Sequence, residues 1–500
     1  MLLFNRMKIS LRSLPLLAIA AFAFSARADV KLPAIFSDHM VLQRDARVPV
    51  WGSAAPGEKV TVTFAGQSQS ATAGADGKWR VALTNLTAAA SPQTLTVKGN
   101  NTLTIQDVLV GEVWLGSGQS NMAMTVNRAK DYEQEQAAAK FPLIRQFKED
   151  SPASDTAQSE GTGRWVLCAP ETVGAFSATL YFFGRELHRT LNVPVGLVNS
   201  SVGGTPIESW IAPEVQRADP KLQAAIAAMP PAPLAAPKAA AAPKQAATEK
   251  KKTTKKATTT AVATAARKGN VGGLFNGKIA PLIPYAIRGA LWYQGEANST
   301  PAKVSLYEHQ LPMLVRDWRA RWGHEFPMAW VQLPNFGGPG RDWPGVREAM
   351  LKTLSLPKTG MAITMDIGEE KDIHPKNKQD VGRRLALWAL GDVYGRKVPA
   401  TSGPLPAGHT VRGKEIVLSF KHANQGLVAK GGELTGFVIA GADRQWKPAR
   451  ARIVGETVVV SAPGVAAPVA ARYAWENWPT CNLFNGAGLP ASPFRTDDWK

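Results

Sequence analysis

Between residues 108 and 399 the chain alternates between two hydrophobic patterns, and this alternation constrains its fold more than any other feature. Short apolar runs typical of buried strands lie at residues 108–115, 195–198, 287–293, 328–333 and 360–365. Stretches of helical character alternate with them, among them residues 178–190 and 379–394. This order is typical of a mainly parallel sheet with helices on both faces. We therefore expect an α/β domain with a three-layer αβα arrangement, in which the sheet lies between two layers of helices.

The segments on either side of this region show a period of two residues instead. Alternating apolar runs separated by Gly, Asn and Asp turns predict an N-terminal β-sandwich-like domain over residues 29–107 and a C-terminal β domain over residues 400–500. The runs on which this prediction depends lie at 48–51, 60–64, 95–98, 415–420, 436–440 and 457–461.

Residues 1–28 have the pattern of a secretory signal peptide. A basic start is followed by an 11-residue apolar run at residues 14–24 and by an A-x-A cleavage site at residues 26–28. This run is shorter than the roughly 20 apolar residues that a membrane-spanning helix needs, and no later segment is long and apolar enough to span a bilayer. We expect cleavage near Ala28, no stable membrane insertion, and a periplasmic or secreted protein. In that compartment Cys168 and Cys481 are free to pair, but nothing in the sequence brings them together, so two unpaired thiols are the simpler expectation.

The formal net charge of +19 is concentrated in two segments. Residues 229–268, of which 34 of 40 are Ala, Pro, Lys or Thr, carry a net charge of +8, and residues 1–28 carry +4. The remaining +7 on the rest of the chain gives no reason to expect a nucleic-acid partner. Because residues 229–268 cannot build a core, we interpret them as a solvated linker that interrupts the central domain, in preference to a basic arm for an acidic partner.

Ser120 follows the first predicted strand of the central domain, within the polar, glycine-rich turn GSGQSNM at residues 116–122. Such a turn places the hydroxyl above the carboxyl ends of the strands, where open α/β sheets collect ligands. The start of the following helix offers free amides and a partial positive charge. A serine at this kind of turn is most often only a helix N-cap. Its interpretation as a nucleophile therefore depends on other residues.

Four polar blocks follow or end predicted strands: GQSNM at 118–122, SSVGGTPIESW at 200–210, WYQGEAN at 292–298 and DIHPKNK at 372–378. In their residues and in their order along the chain, these blocks resemble those of the sialate O-acetylesterase family of SGNH-type carbohydrate esterases. LPAIFSDHMVLQ at 32–43 and GLPASPF at 488–494 are similar to that family as well. The resemblance covers nearly the whole chain after residue 28 except the linker. It implies an SGNH-hydrolase domain, flanked by N-terminal and C-terminal β domains, that hydrolyses acetyl esters on sugars.

Acyl transfer by a serine needs a base for its proton and a group that orients the base. Of the seven histidines, only His374 lies in a polar loop after a predicted strand at the same end of the sheet as Ser120. Asp372, two residues before His374, is the expected orienting carboxylate. Asp366 and a backbone carbonyl stay open as alternatives, because the wider SGNH superfamily usually carries this Asp three residues before the His, where the chain has Lys371. The sequence Asp-Ile-His nevertheless resembles the esterase family itself.

The oxyanion hole is expected to combine the Ser120 amide with an amide of Gly203 or Gly204. At these glycines the lack of a Cβ lets a substrate carbonyl approach the backbone. The resemblance implies that the side-chain amide of Gln294 is the third donor, in place of the Asn that the superfamily usually has.

Glu296 and Asn121 stand in the same blocks and are expected to support the site by hydrogen bonds without taking part in acyl transfer. The sequence has no HExxH, no CxxC and no phosphate-binding glycine motif, so neither a metal nor a cofactor is expected. Trp210, Trp292 and Trp343 lie in or close to the blocks, where an indole face could stack on a sugar ring.

These residues predict an exported carboxylic ester hydrolase that uses a Ser-His-Asp acyl-enzyme mechanism, and the resemblance implies O-acetylated sialic acid as its nominal substrate. An acetylesterase for plant or microbial polysaccharides such as xylan or xyloglucan is an alternative, because the sequence does not show which residues bind the leaving sugar. A non-catalytic carbohydrate-binding protein is the alternative from another class. The sequence does not indicate an oligomeric state.

Overall fold

The computed structural model describes residues 29–227 and 270–499. The predicted signal peptide at residues 1–28 and the predicted linker at residues 229–268 lie outside the described residues. Among the helices of the two described ranges, none is long and apolar enough to cross a membrane.

The first seven strands form the N-terminal β region. They are β1 (Val41–Gln43), β2 (Val48–Ser53), β3 (Lys59–Phe64), β4 (Gln67–Thr72), β5 (Lys78–Leu83), β6 (Ala89–Lys98) and β7 (Thr102–Gly118). β2 pairs with β5, while β3 pairs with β4 and β6, and β6 pairs with β7, all antiparallel. In β3 the buried residues Val60, Val62 and Phe64 alternate with more exposed ones, as the period of two residues predicts.

The boundary expected between residues 107 and 108 falls inside β7, which continues across it without a break. The first part of β7 pairs with β6, and the second part pairs in parallel with β10 and β11 of the central sheet. Asp107 has a positive φ of 55° at this point and is held by Arg145 and His39. The N-terminal β region and the central domain therefore share one strand.

The central sheet has the strand order β13-β12-β11-β7-β10-β8-β9. Its further members are β8 (Phe141–Glu149), β9 (Gly163–Cys168), β10 (Val195–Ser201), β11 (Gly289–Tyr293), β12 (Met328–Val331) and β13 (Thr359–Ala362). All neighbours pair in parallel except β8 and β9. Since β7 lies in the middle, the loops that follow β7, β10 and β11 meet at one edge of the sheet.

Helices cover this sheet on both faces. They are α1 (Ser120–Ala123), α2 (Tyr132–Ala137), α3 (Ala178–Leu191), α4 (Pro213–Ala218), α5 (Pro220–Ala227), α6 (Pro301–Trp322), α7 (Trp343–Thr353) and α8 (Lys378–Trp388). Short 3₁₀ turns lie at Val126–Arg128, Val173–Ala175, Ile207–Ser209, Ala280–Leu282 and Glu296–Asn298, and π turns at Phe275–Ile279 and Ala389–Val393.

Side chains of one strand divide between two buried clusters, as expected for a sheet between two helical layers. In β11, Leu291 and Tyr293 belong to the cluster that includes α3 and α8, whereas Ala290 and Trp292 belong to the cluster that includes α6 and α7. The sequence therefore correctly predicted a mixed α/β fold with a central, mainly parallel sheet.

The remaining strands form additional small sheets. They are β14 (Leu405–Arg412), β15 (Glu415–Lys421), β16 (Leu427–Ala429), β17 (Phe437–Ala440), β18 (Lys447–Pro448), β19 (Arg450–Val454), β20 (Thr457–Ser461), β21 (Ala470–Tyr473), β22 (Leu483–Asn485) and β23 (Phe494–Arg495). This region is joined to α7 by polar contacts: the buried Arg347 donates to the backbone carbonyl of Glu476, and Glu348 pairs with Arg495.

Candidate active site

Ser120 is presented by a sharp turn at the end of β7. Gly118 has a φ of 134°, and a Cβ there would clash with the carbonyl of Tyr293 on the neighbouring strand, so only glycine fits. The amide of Gln119 then donates to that same carbonyl, and α1 begins at Ser120. Because α1 has only four residues, the partial positive charge expected from its dipole is small. What the helix start does supply is the Ser120 N–H, which has no intrahelical acceptor.

His374 lies within hydrogen-bond distance of the Ser120 hydroxyl, with Nε2 2.8 Å from Oγ. It reaches this position although β13, the preceding strand, is three strands away from β7. Burial lowers the pKa of His374 below its usual value, the charges of Arg128 and Lys378 lower it further, and Asp372 raises it. The imidazole is therefore neutral at neutral pH and able to accept the serine proton.

Asp372 stands beside the other nitrogen of the same ring. Its Oδ1 accepts the backbone N–H of His374 at 2.9 Å and lies 3.6 Å from Nδ1. The second distance exceeds that of a hydrogen bond but is short for a charge contact. The Asp372 side chain is 46% exposed, and its charge raises the pKa of His374.

Asp366, the alternative orienting carboxylate, is engaged elsewhere. Its two oxygens accept from the two terminal nitrogens of Arg384 on α8, at 2.6 and 2.7 Å. A two-pronged arginine–carboxylate pair of this kind is strong and fixed in geometry, so the carboxylate is not available to an imidazole.

Gly203 and Gly204 lie beside the nucleophile, in the loop after β10. A Cβ on Gly203 would be 3.4 Å from the Cβ of Ser120, and Gly204 has a φ of 73° with open space around it. Within the described residues, neither amide of this glycine pair donates to a backbone or side-chain acceptor. The loop therefore offers free N–H donors next to Ser120, as an oxyanion hole requires.

Gln294 does not have the free amide that an oxyanion donor needs. Its Nε2 donates to the carbonyl of Thr205 at 3.2 Å and to Oδ1 of Asn298 at 2.7 Å, so both hydrogens are used. Asn298 Oδ1 also accepts the amide of Ile207, which fixes the orientation of that side chain. These contacts disagree with the predicted oxyanion role of Gln294 and make this buried residue a link between the end of β11 and the glycine loop.

Replacing Gln294 by alanine is therefore expected to lower the melting temperature. It leaves the buried Thr205 carbonyl without its side-chain donor, at a cost of about 1–3 kcal/mol of unfolding free energy, whereas Asn298 Oδ1 keeps the Ile207 amide as a donor. Thermal unfolding and steady-state kinetics of the variant test this. A fall in kcat with an unchanged melting temperature would restore Gln294 as a direct oxyanion donor.

Asn121 and Glu296 form a buried pair behind the nucleophile. Asn121 Nδ2 donates to Oε1 of Glu296 at 2.5 Å and to the carbonyl of Ile373, next to His374, at 3.0 Å. Burial raises the pKa of the Glu296 carboxyl, although its hydrogen bond from Asn121 opposes this. Lys378 lies in the last of the four sequence blocks, although the sequence did not predict a role for it. Its Nζ donates to Oδ1 of Asn121 at 2.6 Å. These hydrogen bonds join the end of β11 to the residue after Ser120 and to the loop of His374.

The three tryptophans of the sequence blocks are not available to a sugar. Trp210 and Trp292 are completely buried, Trp343 is 1% exposed, and Trp210 and Trp292 pack edge to face at 6.0 Å between ring centres. They belong to the core under the site, because large indoles fill the space between α6, α7 and the sheet.

In the part of the chain that the structure describes, no three His, Cys, Asp or Glu side chains come together to form a metal site. Cys168 and Cys481 are both free thiols, and burial raises the pKa of Cys168 to about 12.

A serine hydroxyl in contact with a neutral histidine, next to free backbone N–H groups at the edge of a parallel sheet, is an arrangement typical of serine-type ester hydrolases of the α/β class. Comparison with known proteins agrees with this class and narrows it: the chain belongs to the sialate O-acetylesterase family and is a carboxylic ester hydrolase.

A family model described as "Carbohydrate esterase, sialic acid-specific acetylesterase" matches residues 110–230 and 276–390. Sialate O-acetylesterase of Homo sapiens is 30% identical over 531 residues, which cover 94% of this chain and 93% of that protein. The Mus musculus enzyme is 28% identical and covers 96% of both chains. A crystal structure of a carbohydrate acetylesterase from Xanthomonas citri is 37% identical, with a TM-score of 0.82, and covers 94% of this chain and 100% of its own.

Proposed function

We propose that this protein removes acetyl groups from O-acetylated sugars through an acyl-enzyme on Ser120. The observation that carries the proposal is the 2.8 Å contact between Ser120 Oγ and His374 Nε2. It joins residues 254 positions apart in sequence, and it provides a nucleophile with a base in a neutral state.

The first half-reaction transfers the acetyl group to the enzyme. Ser120 Oγ attacks the acetyl carbonyl carbon while its proton passes to Nε2 of His374, and the N–H groups of Ser120 and of the glycine loop bind the developing oxyanion. The carbon–oxygen bond to the sugar then breaks, and the sugar oxygen takes the proton from Nε2. Asp372 stabilises the imidazolium during both proton transfers because it lies 3.6 Å from Nδ1.

The second half-reaction regenerates the enzyme. Water donates a proton to Nε2 and attacks the acetyl carbon, the bond to Ser120 Oγ breaks, and Oγ recovers its proton from the imidazolium. Acetate leaves, so the overall reaction consumes one water and requires no cofactor.

The substrate proposed first is an O-acetylated sialic acid, because the mammalian relatives bear the name sialate O-acetylesterase. The Xanthomonas citri protein, titled a carbohydrate acetylesterase, supports the alternative of another acetylated carbohydrate. We further propose that the protein acts outside the cytoplasm, because residues 1–28 have the pattern of a signal peptide.

Acetate release from a panel of esters tests this function. The panel comprises 9-O-acetyl sialic acid, acetylated xylan, acetylated xyloglucan and 4-nitrophenyl acetate, with a long-chain ester as a negative control. The proposal requires acetate from at least one acetylated sugar and labelling of Ser120 by a fluorophosphonate probe. A protein that binds glycans without hydrolysing any ester, and does not react with the probe, would be a carbohydrate-binding protein instead.

A further inference from the structure

The loop that carries His374 is held on both sides of the histidine by buried donors. Asn121 Nδ2 donates to the carbonyl of Ile373 at 3.0 Å, and Lys378 Nζ donates to the carbonyl of Pro375 at 2.8 Å. The two donors are joined to each other, because Lys378 Nζ also donates to Oδ1 of Asn121 at 2.6 Å. Asn121 directly follows Ser120. One set of hydrogen bonds therefore connects the residue next to the nucleophile with both residues that flank the base.

Lys378 is completely buried, which is unusual for a lysine. Besides its two hydrogen bonds, its Nζ lies 5.2 Å from the ring centre of Tyr293, a distance typical of a cation–π contact. Within the described residues it has no carboxylate within ion-pair distance, and it reaches Glu296 only through Asn121. Burial lowers the pKa of Lys378 to about 7.

The fold does not need a positive charge at position 378. Lys378 is the first residue of α8, and Val381 and Leu385 follow it on the same buried side of the helix. Burying an ammonium group costs several kcal/mol before hydrogen bonds offset it, and an apolar side chain would avoid that cost. What an apolar side chain cannot do is donate at once to Asn121 and to the Pro375 carbonyl.

We infer that Lys378 is a positioning residue for His374: together with Asn121 it fixes the backbone on both sides of the histidine, so that Nε2 stays at hydrogen-bond distance from Ser120 Oγ. This inference rests on the function proposed above. The main effect of Lys378 is on the position of His374, and its charge has a second, electrostatic effect. If His374 is held less firmly, the reaction rate falls, because a displacement of about 1 Å in a catalytic group lowers the rate by up to about 10²-fold.

The charge of Lys378 also acts on His374. The charged or titratable groups near Lys378 are Tyr293, Glu296, Glu369, Asp372, His374 and Arg128, and Lys378 itself lowers the pKa of His374. Removing the positive charge is therefore expected to raise the pKa of His374. A side chain that served only to pack the fold would leave this pKa unchanged.

The test compares Lys378→Met with Lys376→Met in the full-length enzyme. Lys376 lies on the same loop with an exposed side chain, so its replacement is a matched control with wild-type kinetics. For Lys378→Met on 4-nitrophenyl acetate we expect kcat to fall by about 10-fold to 10²-fold with little change in KM. We also expect slower fluorophosphonate labelling of Ser120 and an acid limb of the kcat/KM profile that moves to higher pH.

A double variant covers the case in which Lys378→Met does not fold because Glu296 is left buried without the lysine charge. Lys378→Met combined with Glu296→Gln removes both charges, and we expect it to fold and to keep the low kcat, since the Pro375 carbonyl still lacks its donor. Wild-type kcat and an unmoved acid limb in a folded Lys378 variant would overturn the inference. Inactivity of the wild-type enzyme on every ester would instead overturn the proposed function, so the two failures are distinguishable.

Discussion

Ser120→Ala is expected to lower acetate release by about 10³-fold or more while the protein stays folded. The oxygen atom that attacks the ester is lost, and for the triad members of serine hydrolases such a loss removes nearly all of the covalent catalysis. The hydroxyl contacts His374 at the edge of the sheet and is not part of the core, so the melting temperature should change little. Acetate release and thermal unfolding of the same preparation measure both effects.

Ser117→Ala is the matched control for this variant. Ser117 lies on β7, three residues before Ser120, is completely buried, and within the described residues its Oγ has no hydrogen-bond partner. Its removal should leave kcat unchanged. If Ser120→Ala kept a tenth of the wild-type activity, the nucleophile would have to be another residue.

The positions of the candidate catalytic residues could be predicted from sequence because they depend on one topological rule. Ser120, the glycine loop and the turn at Glu296 each follow a parallel strand, and all strands of a parallel sheet end at the same edge. His374 was placed by the same rule, although the loop after β13 crosses over to β7. Sequence separation does not matter for such residues, since the sheet brings the strand ends together.

Hydrogen-bond partners of side chains were less predictable. Nothing in the spacing of Gln294 shows that its two hydrogens go to Thr205 and Asn298, because both partners are brought in by the fold. The continuity of β7 across the predicted boundary was unpredictable for a similar reason: hydrophobic patterning marks where the period changes near residue 107, but not that one strand pairs on both sides of it.

The sequence around Lys378 does indicate that this lysine is buried. It stands three residues before Val381 and seven before Leu385, a spacing that places all three on one side of a helix. A charged residue on an apolar stripe indicates a buried polar contact, since an unpaired buried charge is too costly to persist. Only the structure shows that this contact is with Asn121 and Pro375.

Asp372→Asn is expected to lower kcat by about 10²-fold or more and to move the acid limb of the pH profile to lower pH. In the proposed mechanism the carboxylate stabilises the imidazolium, so its loss makes the proton transfer from Ser120 harder. The same loss lowers the pKa of His374, because the charge of Asp372 raises that pKa in the wild type. The acid limb of the wild type itself should lie below the usual histidine value of about 6.5, since burial lowers the pKa of His374.

Asp366→Asn separates this role from a general effect of losing a carboxylate. Asp366 binds Arg384, whose side chain is 5% exposed, so its replacement leaves a buried guanidinium with a weaker partner and should lower the melting temperature. Its kcat and its acid limb should stay close to those of the wild type. Asp372→Asn should show the opposite pattern, because the half-exposed Asn can still accept the His374 amide through its Oδ1 and thus keep the loop folded. If the acid limb moved with Asp366→Asn and not with Asp372→Asn, the orienting role would belong to Asp366 and the Arg384 pair would have to open during catalysis.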